Sequence, residues 1–142
     1  MYLLDTNIIS ESRKLGTYRI DPRAARWFAQ VDVETTFISA MTIFELERGV
    51  RQMERRDVTQ GSALRRWLDD QIMTTYENRT LPLSRAVAQI CASLHIPDPK
   101  SERDAWIAAT AIDAKLTLVS RNVQDFANMS VDLINPFEHK FD

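Results

Sequence analysis

The chain holds one cysteine, Cys91, and two histidines, His95 and His139, in 142 residues. A single thiol excludes an internal disulfide and any zinc site built on several cysteines. Between Ile90 and Ala92 it reads as a buried filler rather than an activated thiolate. The histidines are far apart in sequence, so each reads as a surface or packing residue rather than a metal ligand. No run approaches the roughly 18 to 20 apolar residues that cross a bilayer. The start also lacks a basic segment followed by a long apolar one, so the protein is expected in the cytosol, away from membrane. Charge of one sign is missing too: 18 basic and 20 acidic residues leave a net charge of −2. With a pI near 5.7, this excludes a chain that coats nucleic acid by bulk charge. There is no repeat, low-complexity tract or linker, and the length fits one domain, 1–142.

The chain is organised around its beginning, MYLLDTN. Tyr2-Leu3-Leu4 is a short apolar run that stops at Asp5, with Thr6 and Asn7 behind it. As the central strand of an open α/β sheet, it would put Asp5 at the carboxyl edge, where such sheets place their ligand crevice. Thr6 to Arg13 follows as a short helix. Asp21-Pro22 opens another helix to about Gln30, with a cap followed by proline at the first position. Thr35 to Ser39, β-branched and aromatic, is a second strand. Thr42 opens a helix through about Arg56, and Ser62 or nearby opens one through Trp67 to about Tyr76. Thr80 to Leu83 is extended, Ser84 caps a helix ending near His95, and Pro97-Asp98-Pro99 is a turn. Ser101 starts a helix ending by Lys115, Leu116 to Ser120 is a strand, Asn122 opens a helical turn, and Val131 to Ile134 is the last strand. Strands alternating with helices predict a central parallel sheet of four to five short strands with helices on both faces.

Acids stand at the junctions. In Thr42-Ile43-Phe44-Glu45, Ser101-Glu102-Arg103-Asp104 and Asn122-Val123-Gln124-Asp125, a capping residue precedes a carboxylate by three positions. Each acid is therefore open to an ordinary reading as half of a capping box or as an anion on a helix dipole. Two features point further. Asp104 heads a stripe with Ile107, Ala108 and Ala111, all within about 60° on a helical wheel, so a carboxylate enters the core and needs a partner. Glu45 lies about 40° from Gly49 at the edge of the stripe Ile43, Leu46, Val50, Met53. A helical glycine costs up to ~1 kcal/mol, so Gly49 is expected to admit something close. Glu47, on the opposite edge of that stripe, stays open as an alternative.

Four carboxylates at one sheet edge would repel, and their pKa values would rise without a cation. Oxygen-only ligation favours Mg²⁺ or Mn²⁺ over zinc. Such a metal suits phosphate chemistry, and in-line hydrolysis of a phosphodiester is the natural reaction. Of 18 basic residues 14 are arginine, and six of them lie from Arg48 to Arg66. Arg48, Arg51 and Arg55 begin one turn beyond Glu45, where they could meet a phosphate backbone; a solvated helical face is the other reading.

Asp5-Thr6-Asn7 after the first strand, Glu45-Leu46-x-x-Gly49, Asp104 with Ile107-Ala108-Ala109, Ser120-Arg121-Asn122-x-x-Asp125-Phe126 and the closing Leu133-Ile134-Asn135-Pro136-Phe137 together resemble the PIN-domain ribonucleases. Length and motif order resemble the VapC-like toxins of bacterial toxin–antitoxin pairs, including the FitB-type branch. The resemblance spans essentially the whole chain and rests on the order of its motifs. It implies an endoribonuclease dependent on Mg²⁺ or Mn²⁺, acting on RNA and inhibited by a cognate VapB/FitA-like antitoxin. It further implies Asp5, Glu45, Asp104 and Asp125 as the acidic quartet, with Asp5 and Asp104 holding metal most directly. Asn7, Ser120 and Asn122 would orient them, although turn and cap chemistry serves Asn7 and Asn122 equally well. The family commonly has threonine at the position of Ser120, and the hydroxyl is retained. A homodimer is implied, for which Trp67, Met73 and Tyr76 are candidate contacts, with core packing as their other use. Two other classes remain: a non-catalytic binding module, in which the acids are caps, and an aspartate-dependent phosphatase. For the latter, Asn7 stands where haloacid-dehalogenase-like enzymes have a second aspartate, and Arg121 where a receiver domain would have lysine.

Overall fold

The computed structural model describes residues 1–138; His139 lies outside the described residues. Five parallel strands, β1 (Tyr2–Leu4), β2 (Thr36–Ser39), β3 (Thr80–Leu81), β4 (Thr117–Val119) and β5 (Leu133–Ile134), form one sheet in the order β3-β2-β1-β4-β5. Tyr2 is level with Thr36 and Thr117, and Leu3 with Phe37 and Leu118. The first strand is thus the central one. The chain builds outward on one side of it and then crosses to the other, which makes its carboxyl end the switch point of the sheet.

Strand side chains alternate, and β1 shows the consequence. Leu3 packs with Ile107, Ala108 and Ala111 of α7 (Glu102–Ala114) and with Phe126 and Met129. Leu4 packs on the opposite face among residues of α1 (Thr6–Ser12), α2 (Pro22–Gln30) and α3 (Ala40–Arg56). On that face α4 (Val58–Arg66) continues through a π-helical turn, Trp67–Ile72, into α5 (Met73–Thr75). On the α7 side, α6 (Arg85–Leu94) packs Val87 and Cys91 against Ala105 and Ala109, so the lone thiol is a core filler. Burial raises its pKa. Helices cover both faces, as the alternating pattern predicts.

Several local expectations are corrected. Helix α3 starts at Ala40, capped by Ser39 Oγ accepting from the Met41 N–H at 3.0 Å. Thr42 is therefore inside the helix and fully buried, not its cap. The next helix begins at Val58 rather than near Ser62, because Asp57 closes one helix and opens the other. Its N–H donates to Met53 O at 2.8 Å, and its Oδ1 accepts from the Gln60 N–H at 3.0 Å. Trp67 and Tyr76 belong to the core, and only Met73 of the three is exposed. A Cβ on Gly49 would meet nothing within 4 Å, so the close approach is not there. It is at Gly61, where a Cβ would lie 2.5 Å from Glu54 Cα; that glycine lets α4 pack against α3. His95 serves a turn, its Nδ1 accepting from the Lys100 N–H at 3.0 Å.

Candidate active site

In a parallel sheet, the helix that follows a strand starts at the carboxyl edge, and the helix that leads into the next strand starts there as well. Asp5 at the end of β1, Glu45 in the second turn of α3 and Asp104 in the first turn of α7 accordingly reach one place. They line a cavity of about 370 Å³ together with Thr6, Asn7, Ser10, Glu11, Lys14 and Asn122.

Asp5 is only 5% exposed and caps α1. Its Oδ1 accepts from the Thr6 N–H at 2.8 Å, and its Oδ2 accepts from Ser120 Oγ at 2.7 Å and Asn7 Nδ2 at 3.1 Å. Ser120 Oγ in turn accepts from the Asn122 N–H at 3.0 Å, and Asn7 Oδ1 from the Arg121 N–H at 3.1 Å. These bonds tie the end of β1 to the end of β4 and fix the direction of the Asp5 carboxyl. Burial nevertheless pushes its pKa up to about 6, against the Ser120 and Thr6 bonds and with the help of Asp104 and Glu45.

Asp104 is raised as well, first by burial, then by the charges of Asp125 and Glu45, while a Ser101 hydrogen bond and Arg103 oppose the shift. The Ser101 side chain accepts from no backbone N–H of the helix start and that of Asn122 from none of the turn Val123–Phe126, so neither pair is a capping box. Glu45 is not part of one either, since Ser39 is the cap. Its Oε1 accepts from Thr6 Oγ1 at 2.8 Å and its Oε2 from Arg103 at 3.3 Å. Asp125 lines an adjoining hollow with Asn122 and is close enough to act on Asp104 through charge.

The four acids are thus gathered around one region, three lining one cavity and the fourth beside it. Among the described residues, no three acid, histidine or cysteine side chains close on a single point as a metal cage. Asp5 and Glu45 are held by their own neighbours instead. Glu47 is excluded from the group: Arg65 holds it at 2.7 and 2.9 Å and Arg51 at 3.0 Å. Chiefly through the Arg65 bond, its pKa falls to about 2.

Sequence reasoning did not single out Ser10, Glu11 and Lys14. Asn7, Ser10, Glu11 and Lys14 recur at the spacing of one helical face, opposite the buried Ile8 and Ile9. Glu11 is buried; burial works against its charge, but the Asp21 N–H, Lys14 and Arg121 hold its pKa below the usual range. Arg48 stacks on the Phe44 ring at 5.3 Å, and Arg55 makes no ion pair among the described residues. These lie in a separate groove on the outer side of α3 with Glu47, Arg51 and Gln52.

The PIN domain family model matches residues 2–131. A VapC ribonuclease of Sinorhizobium fredii, Y4jK, is 30% identical over 97% of this chain and 99% of its own length. Toxin FitB of Neisseria gonorrhoeae is 30% identical over 96% and 99%. The crystal structure of FitAcB from Neisseria gonorrhoeae superposes with a TM-score of 0.87 at 29% identity, covering 98% of this chain and all of that one. From the family match and these full-length likenesses, the chain belongs to the PIN-domain family.

Proposed function

We propose that this protein is the toxin of a toxin–antitoxin pair and hydrolyses RNA phosphodiester bonds as an endoribonuclease dependent on Mg²⁺ or Mn²⁺. The observation that carries the reading is the shared cavity of Asp5, Glu45 and Asp104, in which burial and the neighbouring charges push Asp5 and Asp104 toward their neutral forms. The donors are all oxygen, which fits a hard divalent cation. Asp5 and Asp104 would hold the metal most directly, with Glu45 and Asp125 completing the set. Bound there, the ion would lower the pKa of a water and offset charge on the phosphate.

The chain's own residues prepare that task. Ser120 and Asn7 aim the Asp5 carboxylate, and Asn122 fixes Ser120. Thr6 holds Glu45 at the wall. Arg48, Arg51 and Arg55 are the proposed contacts to the RNA backbone, with Arg51 shared with Glu47. A cognate antitoxin is the proposed partner, in line with the FitA–FitB complexes that the fold matches, and a homodimer is the proposed assembly.

The test is cleavage of RNA by purified protein with Mn²⁺, with EDTA, and by Asp104→Asn. The reading expects cleavage only with metal and its loss in Asp104→Asn with the fold retained. Failure of the wild type to cut any RNA with Mn²⁺ would overturn it in favour of a binding module.

A further inference from the structure

We infer that the turn after α1 is an arm that holds single-stranded RNA at the mouth of the acid cavity, Lys14 on a backbone phosphate and Tyr18 stacked on a base. The inference rests on the ribonuclease reading of that cavity and names a part of its substrate path.

Among the described residues, Lys14 is the one cation that lines the cavity. Its Nζ lies 3.0 Å from Glu11 Oε2, but the two ends of the pair differ: the lysine side chain is 41% exposed and the glutamate 7%. The acid is a fixed anchor and the ammonium stands at the surface. Half-exposed pairs of this kind add little to stability, so a phosphate can share the lysine at small cost. The lining of the cavity thus offers a first part, the acids Asp5, Glu45 and Asp104, and a second, Lys14. A cation fits the first and an RNA phosphate the second.

The arm beyond it is built rather than loose. Lys14 O accepts from the Thr17 N–H at 3.0 Å and Thr17 Oγ1 at 2.6 Å, and Thr17 Oγ1 accepts from the Arg19 N–H at 3.3 Å. Gly16 at φ +80° permits the reversal. Glu11 Oε1 accepts from the Asp21 N–H at 3.0 Å, so the residue that anchors Lys14 also closes the far end. On this fixed turn Tyr18 is 97% exposed and makes no ring contact among the described residues. Nothing among the described residues requires an aromatic there. Arg13 and Arg19 flank it without an ion pair among the described residues. A basic turn that offers a bare ring beside a phosphodiester-cutting cavity has the two parts single-strand binding needs, a charge track and a stacking platform.

Positioning is separated from chemistry by binding measurements without metal. A fluorescein-labelled single-stranded RNA of mixed sequence is titrated in EDTA with wild type, Tyr18→Ala, Tyr18→Phe and Lys14→Gln over a range of salt. An abasic strand serves as control, and wild-type cleavage with Mn²⁺ is measured in parallel. Tyr18→Ala is expected to weaken RNA binding about tenfold, with Tyr18→Phe near wild type and the abasic strand unaffected. Lys14→Gln is expected to reduce the slope of log affinity against log salt by about 0.7, one phosphate on a single strand. Melting temperatures should match, since neither head group is buried. If wild type cleaves RNA but both variants bind it like wild type, the arm is refuted while the ribonuclease reading stands. An equal loss on the abasic strand refutes stacking. Wild type that binds but never cleaves refutes the ribonuclease reading instead.

Discussion

Glu45 and Glu47 stand on the same helix and end in opposite company. Glu45 turns to the cavity where Asp5 and Asp104 are pushed toward their neutral forms, first by burial and then by neighbouring acids, Asp104 and Glu45 for Asp5 and Asp125 and Glu45 for Asp104. Glu47 turns to Arg65, which also bonds Glu54 at 3.0 Å, and its carboxyl is held down near 2. One cluster of acids is balanced inside the chain and stabilises it; the other is left in excess and destabilises it. A fold keeps an unbalanced cluster when an outside partner supplies the missing charge. The sequence of α3 alone does not separate the two acids, because both lie at the edges of one apolar stripe. What separates them is which neighbouring element each edge meets.

Breaking the unbalanced side has the largest expected effect. Asp104→Asn should lower RNA cleavage by about a thousandfold, the scale of several kcal/mol of transition-state stabilisation. The same variant should unfold no more easily than wild type without metal, since it removes a charge that burial and Asp125 disfavour. Arg65→Met, on the balanced side, should instead lower the melting temperature and leave cleavage intact.

Acid–base titration of stability sharpens the contrast. Asp5 rises from 3.8 to about 6 on folding, so between those values the folded chain keeps a proton the unfolded chain has lost. Metal-free stability should therefore fall as pH rises through that window, by at most about 3 kcal/mol. Glu47 runs the other way: its contribution is present above 4.5 and is lost as pH falls toward about 2. Urea unfolding in EDTA should show an optimum where the two windows overlap, between pH 3.8 and 4.5, and Asp5→Asn should flatten its upper limb. A saturating divalent cation should flatten it as well.

Ser120→Ala tests how the cavity is aimed. Without the 2.7 Å bond to Asp5, cation affinity should drop about tenfold to a hundredfold, as measured by titration calorimetry. Gly61→Ala tests the other side. Its Cβ would press on Glu54 Cα and push α4 off α3, loosening the Arg65 cluster. A loss of about 1 to 2 kcal/mol in unfolding free energy is expected, with cleavage at low temperature unchanged.

The sheet was legible because its strands are short apolar runs that stop at polar turns, and Asp21-Pro22 and Ser84 behaved as caps. Asp5 was legible for the same reason, as the first polar residue after a buried strand. The start of α3 was not, because β2 runs directly into the helix. Ser39 is at once the last strand residue and the cap, with no loop to mark the boundary. The break before α4 was hidden because Asp57 alone makes it, without glycine or proline. Arg65 reaches Glu47 only because Gly61 lets two helices touch. Glu11 and Lys14 were not singled out, since nothing local says that this side of α1 and the turn after it look into the cavity.

On the proposed reading, the Asp5 cavity takes up a divalent cation. Calorimetric titration of Mn²⁺ into metal-free protein tests it most directly, comparing wild type with Asp5→Asn at neutral pH. Saturable binding by wild type, and its loss in the variant, is the predicted result. Equal binding by both, or no binding by wild type, would contradict it.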